Sequence, residues 1–242
     1  MPTEVLENRK SPSILMVKRG FAVALPIMLG YLPVALTYGV LAKQAGLSLL
    51  ELAFMSAFVY AGAAQFMGLN MIMLGSSAIE IVIATFVLNF RHFVMGLSFM
   101  NQLRRFSLRW KVPLSLGLTD ESFAVSAVHK QEAKEEKGIY FYATIFLLAY
   151  LSWFAGSIVG GLLGEIIPET LSQSMGIALY AMFIGLLIPS VKSNHKVGYI
   201  AVIAMLVNAI CMQLGMSSGW AIVVGTIVGG ASGIFFLRGE NE

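Results

Sequence analysis

Three hydrogen-bonding side chains interrupt a long apolar segment at Asn89, Arg91 and His92. Asn89 and His92 are three residues apart, so they share one face of a helix. Arg91 lies nine residues before Met100, where the segment ends, a depth that hinders snorkelling of its guanidinium to water. A guanidinium held there needs a carboxylate partner or a polar cavity. This stretch is therefore the first candidate for a polar site.

The nearest acidic residues in the sequence are Asp120 and Glu121. In one interpretation, Arg91 forms a structural ion pair with one of them. In the other, Arg91 contacts the carboxylate of a solute, while an acidic residue contacts an ammonium group or carries a proton. His92 also has two interpretations, as a proton relay or as a hydrogen-bonded structural residue.

Two earlier apolar stretches contain residues that favour polar contacts at membrane depth. The first carries Pro26, Gly30 and Pro33, which remove backbone donors and relax helical geometry. We expect either a packed kink or a break whose backbone groups bind the charged ends of a solute. The second, residues 60–66, is rich in small residues that allow close packing. Its one amide, Gln65, needs partners and can hydrogen-bond a solute.

An enzyme interpretation rests on two short serine patterns. Residues 215–219 fit G-x-S-x-G, and residues 230–233 resemble the serine motif of rhomboid intramembrane proteases. A rhomboid takes its histidine from a later helix, and no histidine follows His195. No phosphate-binding loop, metal-ligand spacing or dinucleotide motif occurs either. We therefore expect no enzymatic activity, no cofactor and no metal.

The composition places these residues in a membrane protein. Of 242 residues, 57% are hydrophobic and 12% are charged, and the mean hydropathy is +0.80, which leaves too little polar surface for a water-soluble globule. Long uncharged blocks favour helices over an outer-membrane barrel. We predict an all-α integral membrane protein, a polytopic helical bundle in the lipid bilayer. The basic residues lie beside apolar blocks, where they set topology, so no nucleic-acid partner is implied.

Eight apolar blocks approach the length needed to cross a bilayer. They cover residues 20–42, 50–74, 77–100, 112–128, 139–163, 175–191, 197–216 and 220–237. The block at 112–128 carries Asp120 and Glu121 together, so we expect it either to span or to be broken or re-entrant, which gives seven or eight spans. The predicted organisation is a polar tail at 1–19, one transmembrane domain at 20–237 and a C-terminal tail at 238–242.

An offset of 119 residues pairs Asn89 with Asn208 and residues 29–32 with 148–151. This pattern indicates possible repeats at 20–128 and 139–237. Transporters are often built from such duplicated units.

Two stripes of glycine recur every four residues and predict close helix packing, inside the bundle or toward a second subunit. They are Gly156, Gly160 and Gly164, and Gly225, Gly229 and Gly233.

The basic loops predict a cytoplasmic C-terminus. Eight spans with the N-terminus inside place 10 basic residues in the cytoplasm but leave the basic loop at 101–111 outside. Seven spans with the N-terminus outside place 11 there but leave the basic N-terminal tail outside. The basic residues therefore allow the N-terminus on either side of the membrane.

Four motifs in order resemble the AzlC family of bacterial membrane proteins and cover the first half of the chain. They are the Pro26, Gly30, Pro33 and Gly39 pattern, and residues 60–66, 89–92 and 119–124. AzlC proteins are large subunits of branched-chain amino-acid exporters that act with a small AzlD-like membrane subunit. The resemblance implies a multi-pass permease of the bacterial cytoplasmic (inner) membrane, exporting valine, leucine, isoleucine or methionine with the proton gradient.

The leading hypothesis is thus a secondary exporter of an amino-acid substrate. A broken helix and polar residues near Gln65, Asn89, Arg91 and Asp120 would bind the zwitterion, and an apolar pocket would take its side chain. The alternatives are a channel or carrier for another small solute and a non-transporting membrane scaffold subunit.

Overall fold

The computed structural model describes residues 12–164, 166, 184–185 and 187–237, and all regular structure within these ranges is helical. The helices whose bounds are defined within these ranges are α1 (Pro12–Gln44), α2 (Leu49–Phe54), α3 (Gly62–Met73), α4 (Ala78–Gln102), α5 (Leu108–Leu116), α6 (Asp120–Val128), α7 (Ile139–Leu163), α8 (Lys196–Gln213) and α9 (Ser218–Leu237). A π-helical turn at Met55–Val59 continues α2, and a 3-10 turn at Lys130–Lys134 precedes α7.

Within the described ranges, α1, α4, α7, α8 and α9 are long and apolar enough to cross a membrane. The prediction of an all-α membrane protein is confirmed. The predicted number of seven or eight crossing segments is not confirmed. The blocks at 50–74 and 112–128 each fold as two shorter helices, and the block at 175–191 lies largely outside the described residues.

α1 is one uninterrupted helix of 33 residues, so of the two alternatives for Pro26, Gly30 and Pro33, a packed kink or a break, the break is not found. Each proline removes one backbone donor, but membrane helices tolerate this loss where local adjustments and neighbours satisfy the freed groups. All three residues lie on the exposed surface of α1. A Cβ atom added at Gly30 would meet nothing within 4 Å.

The helix interruptions lie instead in the second and fourth apolar blocks. One falls at Tyr60 and Ala61, between the π-helical turn and α3; the other falls between α5 and α6. α5 and α6 have nine residues each, about 13 Å at 1.5 Å per residue. Neither can cross a hydrocarbon core of roughly 30 Å. The fourth block was expected either to span or to be broken or re-entrant, and the structure has it broken between α5 and α6. The break in the second block is unexpected.

Contacts divide the chain into two groups of residues. The first group comprises Met1–Leu32 and His92–Trp153, and the second comprises Pro33–Arg91 and Phe154–Glu242. α1, α4 and α7 each contribute residues to both groups.

In the first group, α1 and α7 run in the same direction. Near their beginnings, a Cβ atom at Gly20 would lie 2.7 Å from the Phe141 carbonyl oxygen. Farther along both helices, the rings of Tyr31 and Trp153 meet edge to face with their centroids 5.5 Å apart.

In the second group, small residues bring the same two helices into close contact. A Cβ atom at Gly160 would overlap the backbone of Leu36, and one at Gly164 would lie 2.9 Å from the Lys43 Cβ atom. The first glycine stripe is therefore a packing surface inside the chain at these two positions. No larger residue fits at Gly160 without moving a backbone.

The second glycine stripe packs α9 on α8. Both Gly225 and Gly229 face Ala204, and a Cβ atom at Gly229 would lie 2.6 Å from the Ala204 Cβ atom. The predicted role of this stripe in close helix packing is confirmed at these two residues.

Candidate functional site

The interruption between α2 and α3 exposes backbone groups inside an apolar part of the chain. The π-helical turn Met55–Val59 ends at Tyr60, whose backbone is left-handed (φ 39°, ψ 46°), and Ala61 follows in an extended conformation. Such a tyrosine is strained and persists only where its surroundings hold it. No side chain caps α3, because the alanine at its N-cap offers no acceptor. The first N–H groups of α3 therefore lack intrahelical partners at the positive end of its dipole.

Gln65 lies beside this interruption. Its N–H donates to the Ala61 carbonyl at 2.8 Å, and its side chain interacts with the Tyr38 hydroxyl. The rings of Tyr38 and Phe66 meet edge to face, with their centroids 5.7 Å apart. Tyr38, Gln65 and Phe66 are at most 2% exposed. A buried amide and phenol next to aromatic surface can bind a molecule that is polar at one end and apolar at the other.

α4 brings Asn89 and Arg91 to the level of the interruption. A Cβ atom at Gly68 of α3 would lie 3.8 Å from side-chain atoms of both Ile81 and Thr85, and the short turn between α3 and α4 makes the helices antiparallel. From this contact the start of α3 is about 9 Å away at 1.5 Å per residue. A move of the same 9 Å along α4, from Ile81 and Thr85 toward the end of the helix, leads to the stretch that contains Asn89 and Arg91.

The Asn89 side chain has an unused hydrogen-bonding atom. Its oxygen is buried and has no hydrogen-bond partner among the residues that the structure describes. A buried acceptor without a donor is costly. A ligand that supplies a donor here would remove that cost.

A second polar cluster lies in the first group, at the start of α6. Thr119 and Ser122 cap this helix reciprocally: the Ser122 N–H donates to Thr119 Oγ1 at 3.2 Å, and the Thr119 N–H donates to Ser122 Oγ at 2.8 Å. The Tyr31 hydroxyl oxygen lies 2.7 Å from Thr119 Oγ1 and 2.6 Å from Glu121 Oε2.

This arrangement can hold Glu121 in either protonation state. The Tyr31 hydroxyl donates to the carboxylate when Glu121 is ionised, and its oxygen can accept from the carboxylic acid when Glu121 is protonated. Thr119 then offers Tyr31 an alternative hydrogen-bond partner at 2.7 Å.

The predicted site residues fall into both groups. The second group contains Gln65, Asn89 and Arg91, and the first contains His92, Asp120 and Glu121. The pairing of Arg91 with Asp120 therefore stays a prediction. Glu121 accepts a hydrogen bond from the Tyr31 hydroxyl.

The two tyrosines of α1 are not among the site residues predicted from the sequence. Tyr31 and Tyr38 are 8% and 0% exposed, respectively. They are seven residues apart, which is two helical turns and one face of a helix. That spacing of two phenols in an apolar helix is the signal that could have identified them.

Glu132 is a third residue that the sequence does not reveal. It is 5% exposed, and its Oε1 atom lies 2.7 Å from Arg19 Nη2 and 3.4 Å from His129 Nδ1. The surrounding stretch at 130–137 has the composition of a solvated charged loop, so nothing in the sequence separates Glu132 from its acidic neighbours. Among the described residues, no group of three or more His, Cys, Asp or Glu side chains could hold a metal ion.

Comparisons with known proteins agree with the resemblance. The family model described as AzlC protein matches residues 26–167, a range that includes both helix interruptions. An uncharacterized membrane protein from Helicobacter pylori is 32% identical over 201 residues, which cover 81% of this chain and 85% of that protein.

Two relatives carry more specific names. The branched-chain amino acid transport protein AzlC of Bacillus subtilis is 26% identical over 189 residues, covering 78% of this chain and 73% of that protein. The inner membrane protein YgaZ of Escherichia coli is 29% identical over 210 residues, covering 85% and 84%. No solved structure matches the chain. Because the family model matches more than half of its length, the chain belongs to the AzlC family and is a multi-pass membrane protein with a role in transport.

Proposed function

We propose that the chain exports branched-chain or similar apolar amino acids across the bacterial cytoplasmic membrane. The observation that carries this proposal is the interruption between α2 and α3. A zwitterionic amino acid needs donors for its carboxylate, an acceptor for its ammonium group and an apolar surface for its side chain. Elements of the second group supply all three.

The carboxylate binds at the start of α3. Discontinuous helices of transporters direct their N-termini at anionic groups of the substrate, and the uncapped N–H groups of α3 suit this task. Arg91, at the same level of α4, adds a guanidinium that can bind a carboxylate at two points. Gln65 contributes an amide beside the same turn.

The ammonium group binds at Asn89, whose buried side-chain oxygen is an acceptor without a donor. The substrate side chain lies against the rings of Tyr38 and Phe66. This apolar surface supports valine, leucine, isoleucine or methionine as substrates. The name of the Bacillus subtilis relative supports the same class, since that protein is called a branched-chain amino acid transport protein.

Proton coupling is assigned to the cluster at the start of α6. Glu121 carries the proton, because Tyr31 can hydrogen-bond both its ionised and its protonated form. Asp120 lies next to Glu121, and His92 belongs to the same group of residues. These two remain secondary candidates for the proton path.

A small AzlD-like membrane subunit is the proposed partner. Its support is the family resemblance alone. Co-expression of the adjacent small membrane protein and co-purification in detergent tests it, and transport that is complete without that subunit would contradict it.

The test of the function is flux through proteoliposomes that contain the purified chain, with and without the small subunit. We expect efflux of radiolabelled leucine that increases with an opposing proton gradient and that unlabelled valine, isoleucine and methionine inhibit. Inhibition by an unrelated solute, and not by these amino acids, would identify another channel or carrier. Absence of any flux from a folded preparation with its partner would leave the scaffold function instead.

A further inference from the structure

We infer that the N-terminus lies in the cytoplasm and that two re-entrant hairpins, α2–α3 and α5–α6, enter the membrane from opposite sides. α1, α4 and α7 are each long enough to cross a membrane. The two ends of each helix therefore lie on opposite sides of the bilayer. The side of every other element follows from which of these ends it contacts.

Contacts in the first group gather the start of α1, the end of α4 and the start of α7 on one side. Arg19, near the start of α1, forms an ion pair of 2.7 Å with Glu132, just before α7. Gln102, the last residue of α4, donates to the Ser126 carbonyl at 2.8 Å and to the Tyr142 hydroxyl at 3.0 Å. We call this side the basic side.

The α5–α6 hairpin begins and ends on the basic side. Arg105, which precedes α5, donates at 3.2 Å to the carbonyl of Lys134, which follows α6. The interruption of this hairpin reaches Tyr31 of α1, 12 residues beyond Arg19. That is about 18 Å along the helix, roughly half of the membrane thickness.

The α2–α3 hairpin begins and ends on the opposite side. The end of α1 meets the end of α7 at Lys43 and Gly164, and α2 starts beside Gly161, where a Cβ atom would lie 2.9 Å from Leu52. α3 leads through a short turn into α4. Because α4 ends on the basic side, it starts on the opposite side, so α3 must return there.

The turn between α8 and α9 also lies opposite the basic side. The Ser217 hydroxyl in that turn donates to Glu80 in the first turn of α4. Since α8 and α9 are each long enough to cross, the start of α8 and the end of α9 lie on the basic side.

Charge supports this arrangement independently of the contacts. Of the 13 Lys and Arg residues that the structure describes, all but Lys43 and Arg91 fall in segments at the basic side. Lys43 falls on the opposite side, and Arg91 lies within α4. Each of the two arrangements predicted from the sequence places one cluster of four basic residues outside the cell. The arrangement inferred from the contacts places no such cluster outside. Basic residues concentrate in the cytoplasm, so the basic side is cytoplasmic.

In this topology, the two helix interruptions are reached from opposite sides of the membrane. The strained turn at Tyr60 lies at the tip of a hairpin that enters from outside, and Thr119 lies at the tip of one that enters from the cytoplasm. The inference stands without the proposed function, because it rests on contacts within each group, helix length and charge.

The test is cysteine labelling of intact cells with a membrane-impermeant maleimide. The single native cysteine, Cys211, is first replaced by serine. We expect Gln44→Cys and Leu74→Cys to react in intact cells, and Ser107→Cys to react only after permeabilisation. Eight spans with the N-terminus inside predict Leu74→Cys protected and Ser107→Cys reactive. Seven spans with the N-terminus outside predict Gln44→Cys protected.

Two positions calibrate the assay because all three topologies agree on them. Met216→Cys should react from outside, and Lys130→Cys should react only after permeabilisation. Each cysteine must also react in permeabilised cells, which shows that it is exposed in folded protein; Leu47→Cys and Ser76→Cys repeat the first two assignments. Any pattern other than reactive, reactive and protected at residues 44, 74 and 107 would overturn the inference.

Discussion

Arg91 and Glu121 carry different parts of the proposed transport cycle. Arg91 lies on α4 at the level of the uncapped start of α3, where a carboxylate would bind. Glu121 accepts a hydrogen bond from Tyr31 in the first group. Binding and proton coupling should therefore respond separately to substitution.

Arg91→Lys keeps the positive charge but loses the planar fork that binds a carboxylate at two points. We expect near-normal expression with leucine flux reduced about tenfold or more, which corresponds to roughly 1.4 kcal/mol. The measurement is proteoliposome flux at matched protein amounts. Poor folding of Arg91→Lys without a specific loss of flux would indicate that Arg91 forms a structural ion pair instead of binding the solute.

Glu121→Gln keeps the shape of the side chain but cannot exchange a proton. We expect it to abolish the increase in flux caused by a pH gradient while leucine exchange at equal pH continues. Tyr31→Phe should produce a weaker form of the same defect, because it removes the hydroxyl 2.6 Å from Glu121 Oε2. Glu136→Gln, at an exposed carboxylate in the α6–α7 loop, is the matched control. An unaltered response to the gradient in Glu121→Gln would contradict the assignment.

Glycines determine how closely helices α1 and α7 approach each other. Gly160 faces the backbone of Leu36, whereas Gly230 on α9 has no atom within 4 Å of an added Cβ. The same substitution at these two residues therefore compares packing with intrinsic helix propensity.

Gly160→Ala should destabilise the bundle, because the added methyl group must push two backbones apart. We expect a cost of roughly 1–3 kcal/mol, seen as a lower melting temperature in detergent. Gly230→Ala should be neutral or slightly stabilising. Equal melting temperatures for the two variants would show that the α1–α7 contact is looser than described.

The loop before α7 is anchored by Glu132. Its carboxylate pairs with Arg19, whose side chain is 50% exposed, so water screens part of the interaction. We expect Glu132→Gln to cost on the order of 1 kcal/mol, a decrease of about 2–4 °C in melting temperature. Glu136, with its side chain 88% exposed, provides the control Glu136→Gln, which should melt like the wild type.

For the whole chain, composition predicted a helical membrane protein, because the hydropathy of long apolar blocks does not depend on how the helices pack. The glycine stripes could also be predicted, because residues spaced four apart lie on one face of a helix. For the prolines of α1 the sequence left a kink and a break as alternatives, because the cost of a proline in a helix depends on neighbours that the sequence does not display. The break at Tyr60 depends on a left-handed backbone and a missing cap, which the run of small residues does not reveal.

The candidate site residues predicted from the sequence are those that are polar within apolar blocks, such as Gln65 and Asn89. Tyr31 and Tyr38 escaped because a tyrosine in a membrane helix is common. Glu132 was not predicted because its ion-pair partner, Arg19, lies 113 positions away in the sequence. Long-range contacts of this kind cannot be inferred from a single sequence.

In the proposed function, the interruption between α2 and α3 binds an apolar amino acid. Equilibrium binding of radiolabelled leucine to the purified protein in detergent measures this step without transport. The wild type should bind saturably, and Gln65→Leu should weaken binding about tenfold or more, because the buried amide next to the start of α3 is lost. Gln102→Leu removes a similar amide that bonds Ser126 and Tyr142 instead, and it should bind leucine like the wild type after correction for folded protein. Absence of saturable binding in the wild type, or wild-type affinity in Gln65→Leu, would contradict the claim.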